Sequence, residues 1–327
     1  MSPLARERVW RLRIRVRLAL ASFVLLTTGC VLPEPWVVRQ EPTQLEPIER
    51  LGRWDGESEF VDVTRGSIPP SHTYVLVHGW APGWSRAVYD DPRLRAWEAV
   101  DRRGRRFEPW MRDLAEAITE ADPHAVVLVY SWLDAAATNR FVLAQRNASA
   151  RTGLYGGQLA IALEQAQGAD FLEGSGRVHL IGHSYGARVA TVAAVQLRKA
   201  PRHLTLLDVP DAPMTRITGS QSNLSELLRE LPVSDDLGGT FVDNYVSMVG
   251  TRYGGEVPGV VDVELSPPYG TFNYRRRHLY GTWFYAQSAS HEFGLGWSPL
   301  IAEPPRHSCY SQPWGEIELE AGCRDPI

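Results

Sequence analysis

The sequence predicts an α/β fold with a mostly parallel central sheet and helices on both faces. Three observations carry this. Short apolar runs of buried-strand length, such as Thr73-Tyr74-Val75-Leu76-Val77-His78 and the Val-rich Ala125 to Ser131, read as strands covered on both sides. Between them lie stretches with apolar residues at helical spacing, the alternation that builds a parallel sheet. One further run, Arg177 to Gly182, passes through Gly182-His183-Ser184-Tyr185-Gly186 directly into small helix-forming residues. With 327 residues and 44% hydrophobic content the chain can bury a large core, so disorder is not expected.

The N-terminus carries export features. Arg6, Arg8, Arg11, Arg13, Arg15 and Arg17 precede the apolar run Leu18 to Leu26, too short for a permanent span, so residues 1–29 read as a secretory signal. Leu26-Thr27-Thr28-Gly29-Cys30 resembles a bacterial lipoprotein cleavage site. The resemblance implies a lipidated Cys30, a membrane as partner through that lipid, and a place in the bacterial cell envelope on its periplasmic or surface side. Removal of the signal takes the formal charge from −4 to about −9, which argues against nucleic acid as a partner. Residues 30–50, rich in Pro, Glu and Gln and without apolar periodicity, read as a flexible tether, and 51–327 as the folded domain. In an exported chain, Cys309 and Cys323 are expected to form one disulfide that clamps the tail.

Within the body, Phe60 to Val63 alternates like a short antiparallel edge strand, and Thr73 to His78 follows as a buried parallel strand. Ala81 to Arg106 mixes Pro, Gly and aromatic residues with charges and reads as an insertion, either a lid or a pocket wall or a plain surface excursion. Phe107 to Glu120 has the apolar spacing of a helix, Ala125 to Ser131 is a strand, and Trp132 to Asn147 has no clear period. Gly153 to Ala166 reads as a helix feeding the strand before Ser184, and Ala187 to Arg198 as a helix packed closely under the sheet. His203 to Asp208, Thr240 to Asn244 and Val260 to Ser266 complete the strands. The chain shows no metal-ligand spacing and no glycine-rich phosphate loop, so no cofactor or metal is expected.

A serine hydroxyl is a weak nucleophile at neutral pH and needs a base beside it. Gly182 and Gly186 permit a tight strand-to-helix turn that lifts Ser184 out of the backbone and places it at a helix N-terminus. His179-Leu180-Ile181-Gly182-His183-Ser184-Tyr185-Gly186 resembles the nucleophile elbow of α/β-hydrolases, especially the branch related to pancreatic lipases. The resemblance implies an α/β-hydrolase fold and a Ser-His-acid hydrolase. It also gives backbone N–H groups of Trp80, in His78-Gly79-Trp80, and of Tyr185 the oxyanion hole; His78, so close to the strand, reads as a buttress of that loop rather than as the base.

In that family the acid and then the base follow the serine along the chain. Asp208 and Asp243 each close an expected strand on the correct edge of the sheet. Leu206-Leu207-Asp208 with Pro210 resembles the pancreatic-type pattern and favours Asp208, whereas most other α/β-hydrolases place the acid one strand later, which favours Asp243. For the base, His278 heads an aromatic segment resembling bacterial members of the group; His291 is the alternative and His307 reads as a surface residue. The implied function is hydrolysis of carboxylic esters, with an ester or lipid as substrate. A thioesterase, amidase or polyester hydrolase of the same fold is the second reading, and a non-catalytic surface lipoprotein the third.

Overall fold

The computed structural model of the chain describes residues 45–69, 71–101, 103–138, 142–168, 178–210, 224–233, 239–247, 249–265 and 277–289. The expected signal over 1–29, Cys30, most of the expected tether, His291, His307, Cys309 and Cys323 lie outside the described residues. No described helix is long and apolar enough to cross a membrane.

Among the described residues the centre is an eight-stranded sheet. Its parallel strands are β3 (Thr73–Val77), β5 (Val126–Tyr130), β7 (Val178–His183), β8 (His203–Leu207), β9 (Phe241–Val246) and β10 (Val260–Glu264). Two antiparallel strands, β1 (Leu51–Trp54) and β2 (Phe60–Asp62), extend one edge, giving the order β10-β9-β8-β7-β3-β5-β1-β2. The inner strands are buried almost throughout because helices cover both of their faces, and β3 and β5 are correspondingly rich in apolar residues. β2 is the edge strand the alternation at Phe60 suggests. β1 escapes such a reading, since four residues that include Gly52 and Arg53 show no period; Gly52 is needed because a Cβ there would lie 2.9 Å from the indole of Trp97.

Among the described residues the helices are α1 (Ser85–Asp90), α2 (Trp110–Ala121), α3 (Leu133–Ala136), α4 (Val142–Gln167), α5 (Tyr185–Gln196), α6 (Leu224–Glu230) and α7 (Tyr280–Ala289). From β3 the chain crosses through α2 to β5 on one side, then returns through α4 to β7 on the other side of β3. Right-handed crossovers in opposite directions put α2 on one face and α4 and α5 on the other. This is the α/β-hydrolase fold. The winding reverses between β3 and β7, so the crevice beyond their C-terminal ends is where such a sheet binds ligands.

Three expectations need correction. The segment 81–106 is not a plain surface excursion, since it contains α1, and 132–147, which shows no clear period, contains α3 and the start of α4. They also pair β4 (Ala81–Pro82) with β6 (Ala137–Thr138) in a small parallel sheet. α4 begins well before Gly153, because Gly156, unfavourable in an isolated helix, lets it approach α5 so closely that a Cβ would overlap Val192. The stretch 30–50, expected to be a tether along its whole length, is ordered at its end. Pro47–Arg50 forms a 3-10 turn, and Arg50 is buried in a two-pronged ion pair with Asp134 at 2.9 and 3.0 Å.

Candidate active site

The C-terminal edge of the parallel sheet gathers the chemistry. β7 ends at His183 and Ser184 follows with φ 54° and ψ −128°, a backbone conformation that L side chains rarely hold. Two glycines make the turn possible by close approach alone. A Cβ on Gly182 would overlap the Ala187 backbone, and one on Gly186 the carbonyl oxygens of Val77 and His78. Ser184 N–H donates to the Leu207 carbonyl at 2.9 Å, which ties the turn to β8. Tyr185 then opens α5, where backbone N–H groups converge and the helix dipole presents its positive end.

The loop after β3 passes directly beside this turn: a Cβ on Gly79 would sit 2.8 Å from that of Ser184. His78 fixes the loop from behind. Its Nε2 accepts the Trp132 N–H at 3.2 Å, which leaves the hydrogen on Nδ1 to be donated to the Gly79 carbonyl at 2.9 Å. Burial pushes His78 down to about 4, so this tautomer is neutral near pH 7. The Trp132 indole donates to the His78 carbonyl at 2.6 Å, and that of Trp80 to Thr138 Oγ1 at 2.6 Å. The loop carrying Trp80 is thereby clamped to α3 and β6.

Asp208 stands one residue beyond β8 in the left-handed region, with φ 49°. Its Oδ2 lies 2.6 Å from Nδ1 of His278. Its Oδ1 accepts N–H groups from Ser247 and Gly250 at 2.9 Å and from Val249 at 3.2 Å. Gly250 is suited to this approach, since a Cβ there would already lie 3.0 Å from Oδ1. His278 reaches the elbow as well, its ring 4.6 Å from that of His183, the neighbour of Ser184. Ser184 retains 5% of its surface and the His278 side chain 16%, so charges in this crevice are weakly screened.

Asp243 does not close a strand. β9 runs on to Val246, which leaves Asp243 opposite Thr205 inside the sheet. There its Oδ1 accepts from Thr205 Oγ1 at 2.6 Å and His203 Nε2 at 2.8 Å, while the ring of His179 stacks on His203 at 3.6 Å. Of the residues singled out in the sequence, the structure brings Ser184, Tyr185, Trp80, Asp208 and His278 to one edge, whereas Asp243, expected on that same edge, lies inside the sheet. Sequence reasoning missed Ser247, Gly250 and Trp132, whose contributions here are N–H groups that belong to no motif.

No protein-family model matches the chain, and no curated protein does. Among solved structures, an esterase of Pyrococcus furiosus is similar at 13% identity, over 72% of this chain and 90% of its own, with a TM-score of 0.38. A lipase-esterase related protein from Clostridium acetobutylicum is similar at 11% identity, over 69% and 96%, with a TM-score of 0.35. An IroE-like serine hydrolase from Shewanella oneidensis is similar at 13% identity, over 68% and 72%, with a TM-score of 0.30. At such identities and scores these likenesses carry no argument about the chemistry of this chain.

Proposed function

We propose that the chain is a serine hydrolase of carboxylic esters in which Ser184, His278 and Asp208 act as nucleophile, base and acid. The observation that carries this reading is the 2.6 Å contact between His278 and Asp208 at the sheet edge that also holds Ser184 in its strained turn. His278 Nε2 takes the proton of Ser184 Oγ as that oxygen attacks the ester carbonyl carbon. The carbonyl π electrons move to its oxygen, and the oxyanion is held by N–H groups of Trp80 and Tyr185. Collapse breaks the C–O bond, and His278 returns the proton to the departing alcohol. A water, deprotonated in turn by His278, attacks the acyl-enzyme, releasing the carboxylic acid and restoring Ser184.

We further propose a location at the bacterial cell envelope, anchored through a lipid on Cys30, which rests on the resemblance of Leu26 to Cys30 to a lipoprotein cleavage site; metabolic labelling with a fatty acid tests it, and absence of label on Cys30 removes it. For the chemistry, a fluorophosphonate probe reacts only with an activated serine. Labelling of Ser184 is expected, together with a loss of at least about 10³-fold in kcat on a p-nitrophenyl ester for Ser184→Ala. An unlabelled wild-type protein supports the non-catalytic alternative instead. A panel of thioester, amide and polyester substrates separates the remaining readings.

A further inference from the structure

His183, the residue immediately before Ser184, reaches past the elbow to the segment that carries the base. Its Nε2 lies 3.1 Å from the backbone carbonyl of His278. A carbonyl oxygen can only accept, so Nε2 carries the hydrogen. Nδ1 of His183 is buried without a partner, which agrees with its being the bare nitrogen. The edge of the ring system is packed against Trp110, with centroids 5.9 Å apart, so the donor cannot swing away without disturbing α2.

The carbonyl one residue earlier is held in the same manner. Ser247, on the loop after β9, donates Oγ–H to the Arg277 carbonyl at 3.0 Å, while its own N–H is fixed on Asp208 Oδ1 at 2.9 Å. The two successive carbonyls that bracket His278 are therefore tied to the end of β7 and to the β9–β10 loop. The imidazole is tied to Asp208 at the end of β8. Three neighbouring strands hold one residue that itself belongs to no strand.

Resting on the reading of His278 as the base for Ser184, we propose that His183 and Ser247 are positioning residues that hold the main chain of His278 so that its Nε2 stays directed at Ser184. Neither needs to touch substrate. Their effect lies in the precision of proton transfer, where a displacement of about 1 Å can cost about 10²-fold in rate.

The test uses the whole protein and a p-nitrophenyl ester, with fluorophosphonate labelling of the wild type as a first measurement. His183→Phe keeps a ring and removes the donor; His183→Gln places an amide N–H near the position of Nε2. Ser247→Ala removes the other tie with little change of volume. Expected is a fall in kcat of about 10- to 100-fold for His183→Phe and Ser247→Ala, with KM within about twofold, and recovery to within about threefold of wild type for His183→Gln.

If the wild type is labelled on Ser184 and both donor-less variants turn over at the wild-type kcat, the positioning role is overturned while the triad stands. His183→Gln as impaired as His183→Phe overturns the donor role for His183 and leaves packing in its place. An unlabelled wild type brings down the triad and the positioning role together, and is read from that protein alone. Should His183→Phe fail to fold, Ser247→Ala decides by the same kcat criterion.

Discussion

Oδ2 of Asp208 lies 2.6 Å from Nδ1 of His278, although 70 residues separate the two in sequence. The other oxygen of that carboxylate gathers the N–H groups of the loop after β9. These two duties can be separated by substitution. In Asp208→Asn the amide oxygen can still serve the loop, but the NH₂ group faces Nδ1 and forces the imidazole hydrogen onto Nε2, the tautomer that cannot accept the serine proton. We expect kcat to fall by at least about 10³-fold with the melting temperature changed by a few degrees at most. Asp243→Asn should do the reverse, costing about 1–3 kcal/mol of stability through the buried His203–Thr205 contacts while kcat stays within about threefold. An active Asp208→Asn beside an inactive Asp243→Asn would transfer the acid role to Asp243.

Much of the sheet was legible because strands buried on both faces are mostly apolar: β3 and β5 stand out for that reason, and β7 and β8 keep apolar runs between their buried histidines and Thr205. The elbow was legible because its steric demand selects glycine at two fixed positions. Asp208 and Asp243 could not be separated with certainty from sequence, since the decision turns on where β9 ends, and Tyr245-Val246 extends it past Asp243. Strand ends are set by pairing with neighbours rather than by local pattern. The ties on His278 were invisible for a different reason: the acceptors are main-chain carbonyls, which every residue has.

The strain at Ser184 has a measurable size. Its φ of 54° with ψ of −128° is a region open to glycine and costs a residue with a Cβ on the order of 1–3 kcal/mol. Ser184→Gly should relieve that strain. Part of the gain is offset because glycine loses more backbone freedom on folding, by about 0.5–1 kcal/mol. The expected net is a stabilisation of about 1 kcal/mol over wild type, whereas Ser184→Ala, which keeps the Cβ, should show none. Denaturant unfolding of the two inactive variants side by side checks this, and a Ser184→Gly no more stable than Ser184→Ala would mean the turn is not strained.

Arg50 and Asp134 form a fully buried pair, with Asp134 Oδ2 also accepting the Tyr155 hydroxyl at 2.7 Å and the Arg50 guanidinium 4.8 Å from the Tyr155 ring centroid. Removing one member leaves a charge in a medium that solvates it poorly. Arg50→Met is expected to destabilise the fold by about 3–5 kcal/mol, and Arg50→Met with Asp134→Leu to recover most of that, because the stranded carboxylate is gone. Urea midpoints of the single and double variants measure the difference. A double variant as unstable as the single one would show that the pair contributes specific attraction rather than mutual neutralisation.

Buried histidines give stability a defined pH dependence, His78 and His183 among them, with His179 also held down by burial. Burial pushes His78 down to about 4, and burial together with the neighbouring His278 pushes His183 down to about 3, against 6.5 for an unperturbed imidazole. Below pH 6.5 the unfolded chain therefore binds protons that the folded chain refuses. Stability is fully present above pH 6.5 and is lost as pH falls toward the folded values. At pH 5 each histidine should cost about 2 kcal/mol relative to pH 7.5. His183→Gln cannot be protonated, so its loss between pH 7.5 and pH 5 should be smaller than that of wild type by about 2 kcal/mol. Chemical denaturation of both proteins at the two pH values checks the sign and the size, and equal losses in the two would show that the ring of His183 takes up a proton as readily in the folded chain as in the unfolded one.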